Sequence, residues 1–107
     1  MKSVTGLAAA LAISLAVAGA RAQGGGDSQE GLGLAQQVCA ECHAVRPGSG
    51  PSRNSLAPPF EVLAATPGMT DTALFVALTT PHAGMPMFRF TAEQRKDVIA
   101  YILSLKH

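Results

Sequence analysis

The sequence predicts a small all-α domain, and three observations carry that reading. Apolar residues recur three and four apart in separate segments, as one face of a helix requires, and no run alternates with a period of two. Clusters of proline and glycine, such as Pro47-Gly48-Ser49-Gly50-Pro51, cut those segments apart. The third is Cys39-Ala40-Glu41-Cys42-His43, a C-x-x-C-H motif, which reads as an attachment site for haem of the c type.

The motif has a mechanical logic. Residues three apart on a helix share a face, so Cys39 and Cys42 can reach two vinyl groups along one side of a porphyrin. His43 then presents its imidazole to the iron as the proximal ligand. The cofactor expected is one covalently attached haem c with its iron. Two other chemistries use a C-x-x-C pair. A thioredoxin-like disulfide expects a βαβ pattern, and the chain has no strand-periodic runs. Zinc wants four ligands, and outside the motif only His82 and His107 remain as imidazoles, with no further cysteine.

Residues 1–22 read as a cleaved export signal. Lys2 supplies the positive start, Leu7 to Ala18 is almost wholly apolar, and Ala20-Arg21-Ala22 is an A-x-A cleavage site that leaves Gln23 as the mature N-terminus. The apolar run from Gly6 to Ala20 falls short of the ~18–20 residues that span a bilayer. A retained membrane anchor is therefore the less favoured alternative, and no stable membrane insertion is expected after cleavage. The expected address is the periplasm, where covalent haem attachment takes place. The organisation expected is a signal peptide (1–22), a flexible glycine-rich leader (23–27) and one haem domain (28–107).

A domain this small has little core of its own and needs a staple. Both cysteines belong to the motif, so the haem itself serves, as an apolar disc for the helices to bury. Without Lys2 and Arg21, six basic residues face seven acidic ones, a balance of −1 that gives no reason to expect nucleic-acid binding.

The first helix is expected from Asp27 or Ser28 into the haem motif, with Asp27, Ser28 and Glu30 as its start signals and Leu34 and Val38 on its apolar stripe. Gly31 and Gly33 each cost a helix up to ~1 kcal/mol relative to Ala; Gly31 is read as a place where another helix backbone comes close. Arg46 to Pro59 is loop, passing beneath His43. A metal-bound histidine usually gives its other ring N–H to a carbonyl or carboxylate, and Pro51 is preferred to Pro47 as the residue presenting that carbonyl.

Pro59 to Ala65 forms a short helix with Phe60, Leu63 and Ala64 on one face. Thr70 or Asp71 caps the next, with Leu74, Ala77 and Leu78 inward and Phe75 flanking. The non-helical loop Pro81 to Phe88 offers three candidates for a distal ligand: Met85 first, because Gly84 frees and Pro86 locks the backbone around it, then Met87, then His82. A thioether ligand favours ferrous iron and raises the potential. In the last helix Thr91 and Gln94 form a capping box before an apolar face of Val98, Ile99, Ile102, Leu103 and Leu105. Lys106 and His107 suit its C-terminal dipole. This helix is expected to cross the first near Gly31, with Tyr101 at the contact.

From about Asp27 to its end, the chain resembles a small bacterial class I cytochrome c. The resemblance rests on Gly31-x-x-Leu34, Cys39-Ala40-Glu41-Cys42-His43, Gly50-Pro51, Ala57-Pro58-Pro59-Phe60, Met85-Pro86-Met87-Phe88 and Asp97-Val98-Ile99-Ala100-Tyr101. It implies three to four helices around one haem, His43 and Met85 as axial ligands, and Gly31 and Tyr101 at the helix crossing. Ala35 departs from the pattern, because the family usually has Phe or Tyr four residues before the first cysteine. The crossing is then less well filled unless Leu34 covers it.

A haem with both axial positions taken leaves no open site for oxygen or peroxide chemistry, so the expected role is a one-electron carrier rather than an enzyme. Its partners are redox proteins met by small, transient contacts, with Arg46, Arg53 and Arg89 available to orient them, and the protein itself is expected to be a monomer. Two alternatives come from other classes. One is a gas sensor with a labile distal ligand, the other a haem subunit of a membrane or periplasmic oxidoreductase complex.

Overall fold

The computed structural model describes residues 2, 3, 5, 6 and 25–107. The signal-peptide reading of residues 1–22 lies, but for Lys2, Ser3, Thr5 and Gly6, outside them. Among the described residues the protein is all-α. Helices α1 (Ser28–Gln37), α2 (Phe60–Ala65), α3 (Asp71–Thr79) and α4 (Ala92–Ser104) are joined by loops, with a 3₁₀ turn at Cys39–Glu41.

Each helix start has a local cause. The Asp27 carboxylate accepts from the N–H groups of Gln29 and Glu30 at 2.9 and 3.2 Å, which satisfies two of the orphan donors of α1. Thr70 Oγ1 accepts from the Ala73 N–H at 3.1 Å and opens α3. At α4 the capping box is complete, with Gln94 N–H to Thr91 Oγ1 at 3.0 Å and Thr91 N–H to Gln94 Oε1 at 2.9 Å. Helix α2 has no side-chain cap. It is held from outside, because the Phe60 N–H donates to the Ala44 carbonyl at 2.9 Å.

The frame is the crossing of α1 over α4. Gly31 and Ala35 lie four apart, hence on one face of α1, and both are buried. A Cβ at Gly31 would collide with the Asp97 carbonyl oxygen and stand 2.9 Å from Cβ of Tyr101. Where a larger aromatic was expected, Ala35 is fully buried, with Leu34 half-buried against the same core. The two small residues let the backbones approach. The crossing is closed by contact rather than by a large side chain.

A second tie lies at the start of α1. The Asp27 N–H donates to the Asp97 carboxylate at 2.7 Å. A Cβ at Gly26 would collide with the Lys96 carbonyl group, so the end of the glycine-rich stretch is packed on α4. The inner face of α4, formed by Val98, Ile99, Tyr101 and Ile102, is buried against a core that includes Phe60, Ala64 and Leu74. Lys106, expected to serve the end of α4, instead donates from Nζ to the Met69 carbonyl at 2.5 Å, beside the start of α3. No helix among the described residues is long and apolar enough to cross a membrane.

The two glycines of α1 therefore have opposite expected sensitivities. Gly33 has nothing within 4 Å of a Cβ, so Gly33→Ala should gain the helix-propensity difference, up to about 1 kcal/mol. At Gly31 the same gain is outweighed by overpacking against backbone, a cost of about 1–3 kcal/mol. Guanidinium unfolding of the two variants should place their midpoints on opposite sides of the wild type.

Candidate haem site

Helix α1 stops at Gln37 instead of running through the motif. Val38 leaves the helical line at φ −117°, and the chain tightens into the 3₁₀ turn, with the Cys42 N–H on the Cys39 carbonyl at 3.1 Å and the His43 N–H on the same oxygen at 2.9 Å. The departure from a continuous helix has a geometric effect. An α-helix rotates residues three apart about 60° out of line, whereas a 3₁₀ turn eclipses them. Cys39 opens that turn and Cys42 caps it, so the two cysteines are held within one turn of chain.

Both cysteines are free, Cys39 buried and Cys42 half-buried. Burial pushes the Cys39 thiol up to about 11. A redox C-x-x-C pair depends on the opposite, an attacking thiol held as thiolate near neutral pH. Among the described residues no group of three or more His, Cys, Asp and Glu side chains gathers as a bare metal ion would need.

His43 has one ring nitrogen committed. Its Nδ1 lies 2.6 Å from the Pro58 carbonyl oxygen. A carbonyl only accepts, so Nδ1 carries the proton and the Nε2 lone pair is left for a metal. The acceptor is Pro58, not Pro51. The Asn54 N–H bonds the Cys42 carbonyl at 3.1 Å, the Ala44 N–H bonds Ser52 Oγ at 3.0 Å, and the Phe60 N–H bonds the Ala44 carbonyl at 2.9 Å. These fold the loop back on the motif and carry Pro58 to the ring. Pro51 lines an open cleft of about 330 Å³ that His43 shares with Arg46, Ser49 and Arg53. With its amide oxygen turned towards Arg46, Gln36 can accept from the guanidinium Nη2 and Nε, at 2.7 Å each.

Aromatic rings back the histidine. Phe60 packs against the imidazole with centroids 5.2 Å apart and planes at 51°, and Tyr101 packs against Phe60 at 6.3 Å and 50°. The Tyr101 hydroxyl donates to the Val45 carbonyl at 2.5 Å. The sequence places Phe60 on the apolar face of a short helix, and nothing in the spacing points to Pro58 or to the Val45 bond. The one available signal was Ala57-Pro58-Pro59-Phe60, whose paired prolines stiffen the segment beside the ring.

The candidate distal ligands sit on a separate turn after α3. His82 to Met85 is a tight turn, with the Met85 N–H 3.4 Å from the His82 carbonyl and Gly84 at φ +80°, the sign a type II turn demands at its third residue. Of the three candidates only Met85 is half-buried; His82 and Met87 are exposed, and His82 Nδ1 lies 3.3 Å from the Thr80 carbonyl. The structure groups Cys39, Cys42 and His43 within one turn and places Met85 on a separate loop after α3.

A family model described as cytochrome c oxidase, cbb3-type, subunit III matches residues 26–102. The chain belongs to that family and is a small c-type cytochrome. No curated protein and no solved structure matches it. The four helices agree with the all-α cytochrome c fold, and the family implies covalently bound haem c with its iron. The donor set fits that group: two thiols three residues apart, at the start and the cap of a 3₁₀ turn, and an imidazole whose second nitrogen is already tied.

Tyr101 is the cytochrome's sole tyrosine, so its phenol can be followed alone. Burial raises its pKa, with the Arg46 charge opposing. An acid whose folded pKa is raised contributes stability that is present below its unfolded pKa, near 10, and lost as pH rises beyond it. The phenolate band near 295 nm, read against Tyr101→Phe as blank, should therefore titrate above 10 in the folded protein and near 10 in denaturant.

Proposed function

We propose that the cytochrome is a periplasmic one-electron carrier, with Cys39 and Cys42 as the covalent attachment points of one haem c and His43 and Met85 as the axial ligands. The observation that carries this reading is the Nδ1 bond from His43 to the Pro58 carbonyl, which leaves Nε2 as a metal donor and raises its basicity. When bound, the haem iron supplies Fe(II)/Fe(III) exchange. Everything else falls to the protein.

Its first task is to keep the ligand from moving between oxidation states. Residues 43, 44 and 45 are each held from elsewhere: the His43 ring by Pro58, the Ala44 main chain by Ser52 and Phe60, and the Val45 carbonyl by Tyr101. A segment so restrained keeps its reorganisation small. The second task is to supply a soft distal donor. Met85 is favoured over Met87 because it is half-buried on a turn whose backbone Gly84 bends and Pro86 stiffens. The third is to present apolar walls. Leu56, Val62 and Met87 are more than half exposed, and a large apolar cofactor is the natural cover for side chains of that kind.

Partner recognition is proposed to be weak and short-lived. Net charge is near zero over residues 23–107, so orientation depends on local charge, of which Arg46 and Arg53 lie beside His43. The family's description favours a second reading, a haem-bearing subunit of an oxidase complex. Mass spectrometry separates the two. A free mature chain that starts at Gln23 and carries one haem supports the carrier; a chain that keeps residues 1–22 and fractionates with membranes supports the subunit.

The ferric protein should show the far-red sulfur-to-iron band, and Met85→Ala should lose it while Met87→Ala keeps it. Loss in Met87→Ala instead would move the distal ligand by two residues. Rapid carbon monoxide uptake by the reduced wild type would replace the carrier with a sensor. After denaturation the protein should yield no titratable thiol, because both sulfurs are consumed in thioether bonds.

A further inference from the structure

We propose that Phe60 is a positioning residue for His43, its ring setting the rotation of the imidazole plane with Tyr101 as its backstop. The inference rests on the reading that His43 ligates the iron.

The Pro58 carbonyl restrains one point of the ring, Nδ1. A single hydrogen bond tolerates tens of degrees of misalignment at modest loss, so it leaves the plane free to rock about that point. A restraint on that rotation comes from Phe60, at 5.2 Å and 51°, within the tilted range that aromatic pairs prefer. Phe60 is in turn poorly able to yield. It is 3 % exposed, its main chain is bonded to Ala44, the residue that follows His43, and its other side meets Tyr101. Tyr101 is fixed three ways: by burial, by its hydroxyl on Val45, and by its place at the crossing, where its Cβ faces Gly31. A rotation of the imidazole has to displace Phe60, and a displacement of Phe60 has to disturb the α1–α4 crossing. The helix crossing therefore reaches the axial ligand through two rings. An aliphatic residue at position 60 would fill the core without offering a flat face to the imidazole.

The test compares holo wild type with Phe60→Leu, Phe60→Tyr and Tyr101→Leu, all in the ferric state. Proton NMR reads the hyperfine-shifted His43 ring protons, which report ligation, and the four haem-methyl resonances, whose spread and order track the axial ligand planes. The far-red sulfur band checks that the distal side is unmoved, and the reduction potential is measured beside it. Phe60→Leu should redistribute the methyl resonances and shift the potential with the sulfur band intact, and Phe60→Tyr, which keeps the ring, should restore the wild-type pattern. Tyr101→Leu should move the same resonances in the same sense by less, and it decides the question if Phe60→Leu yields no holoprotein. Methyl resonances that stay in place in the available variants, with His43 ring protons present in the wild type, overturn the inference alone. Absence of those ring protons from the wild type overturns the ligation reading and the inference with it.

Discussion

The bond between the His43 ring and the Pro58 carbonyl, 2.6 Å long, is the constraint on which the rest of the site depends. It decides the tautomer, and with it which nitrogen is available to a metal. It also requires that a loop fifteen residues away in sequence return to the motif. That return is made by three further bonds: the Asn54 N–H to the Cys42 carbonyl, the Phe60 N–H to the Ala44 carbonyl, and the Ala44 N–H to the Ser52 hydroxyl oxygen. The long connection after the motif is therefore part of the site. Its two prolines at 58 and 59 give up N–H donors at no cost, since the bonds that matter there use a carbonyl and the N–H of the next residue.

The helix crossing supplies the base against which this arrangement is braced. With glycine at 31 and alanine at 35, α1 approaches α4 closely enough for main chain to meet main chain at Asp97. Such contact leaves little for a side chain to adjust, in keeping with the dense packing of protein interiors. Tyr101 sits at that contact and extends to Val45 and Phe60, so the frame and the site share a residue. In a domain with so small a core, this sharing means that one buried cluster both holds the fold and backs the His43 ring.

Much of this was legible residue by residue. The starts of α3 and α4 follow from Thr70 and the Thr91–Gln94 box, because caps act within one turn of chain. Gly31 and Tyr101 at the crossing were also visible, as an otherwise poor helix former and an aromatic on an apolar face. The tightening of the motif into a 3₁₀ turn was not, since α and 3₁₀ pitch differ too little for spacing alone to separate them over three residues. Loop length favours Pro51, yet Pro58 is the acceptor, because the path of the loop is set by long-range bonds that no local pattern encodes.

What the chain's order of residues determined alone was its chemistry and its local geometry: a thiol pair and an imidazole at fixed spacing, helix starts, turns, and a soft donor between Gly84 and Pro86. Only the tertiary structure decided how that chemistry is oriented: which carbonyl meets the imidazole, which ring backs it, and how the two glycines of α1 divide between contact and solvent. The physical reason is range. Capping, turn sterics and helical periodicity act over a few residues, whereas the hydrogen bonds and ring contacts around His43 join segments that become neighbours only once the helices have packed.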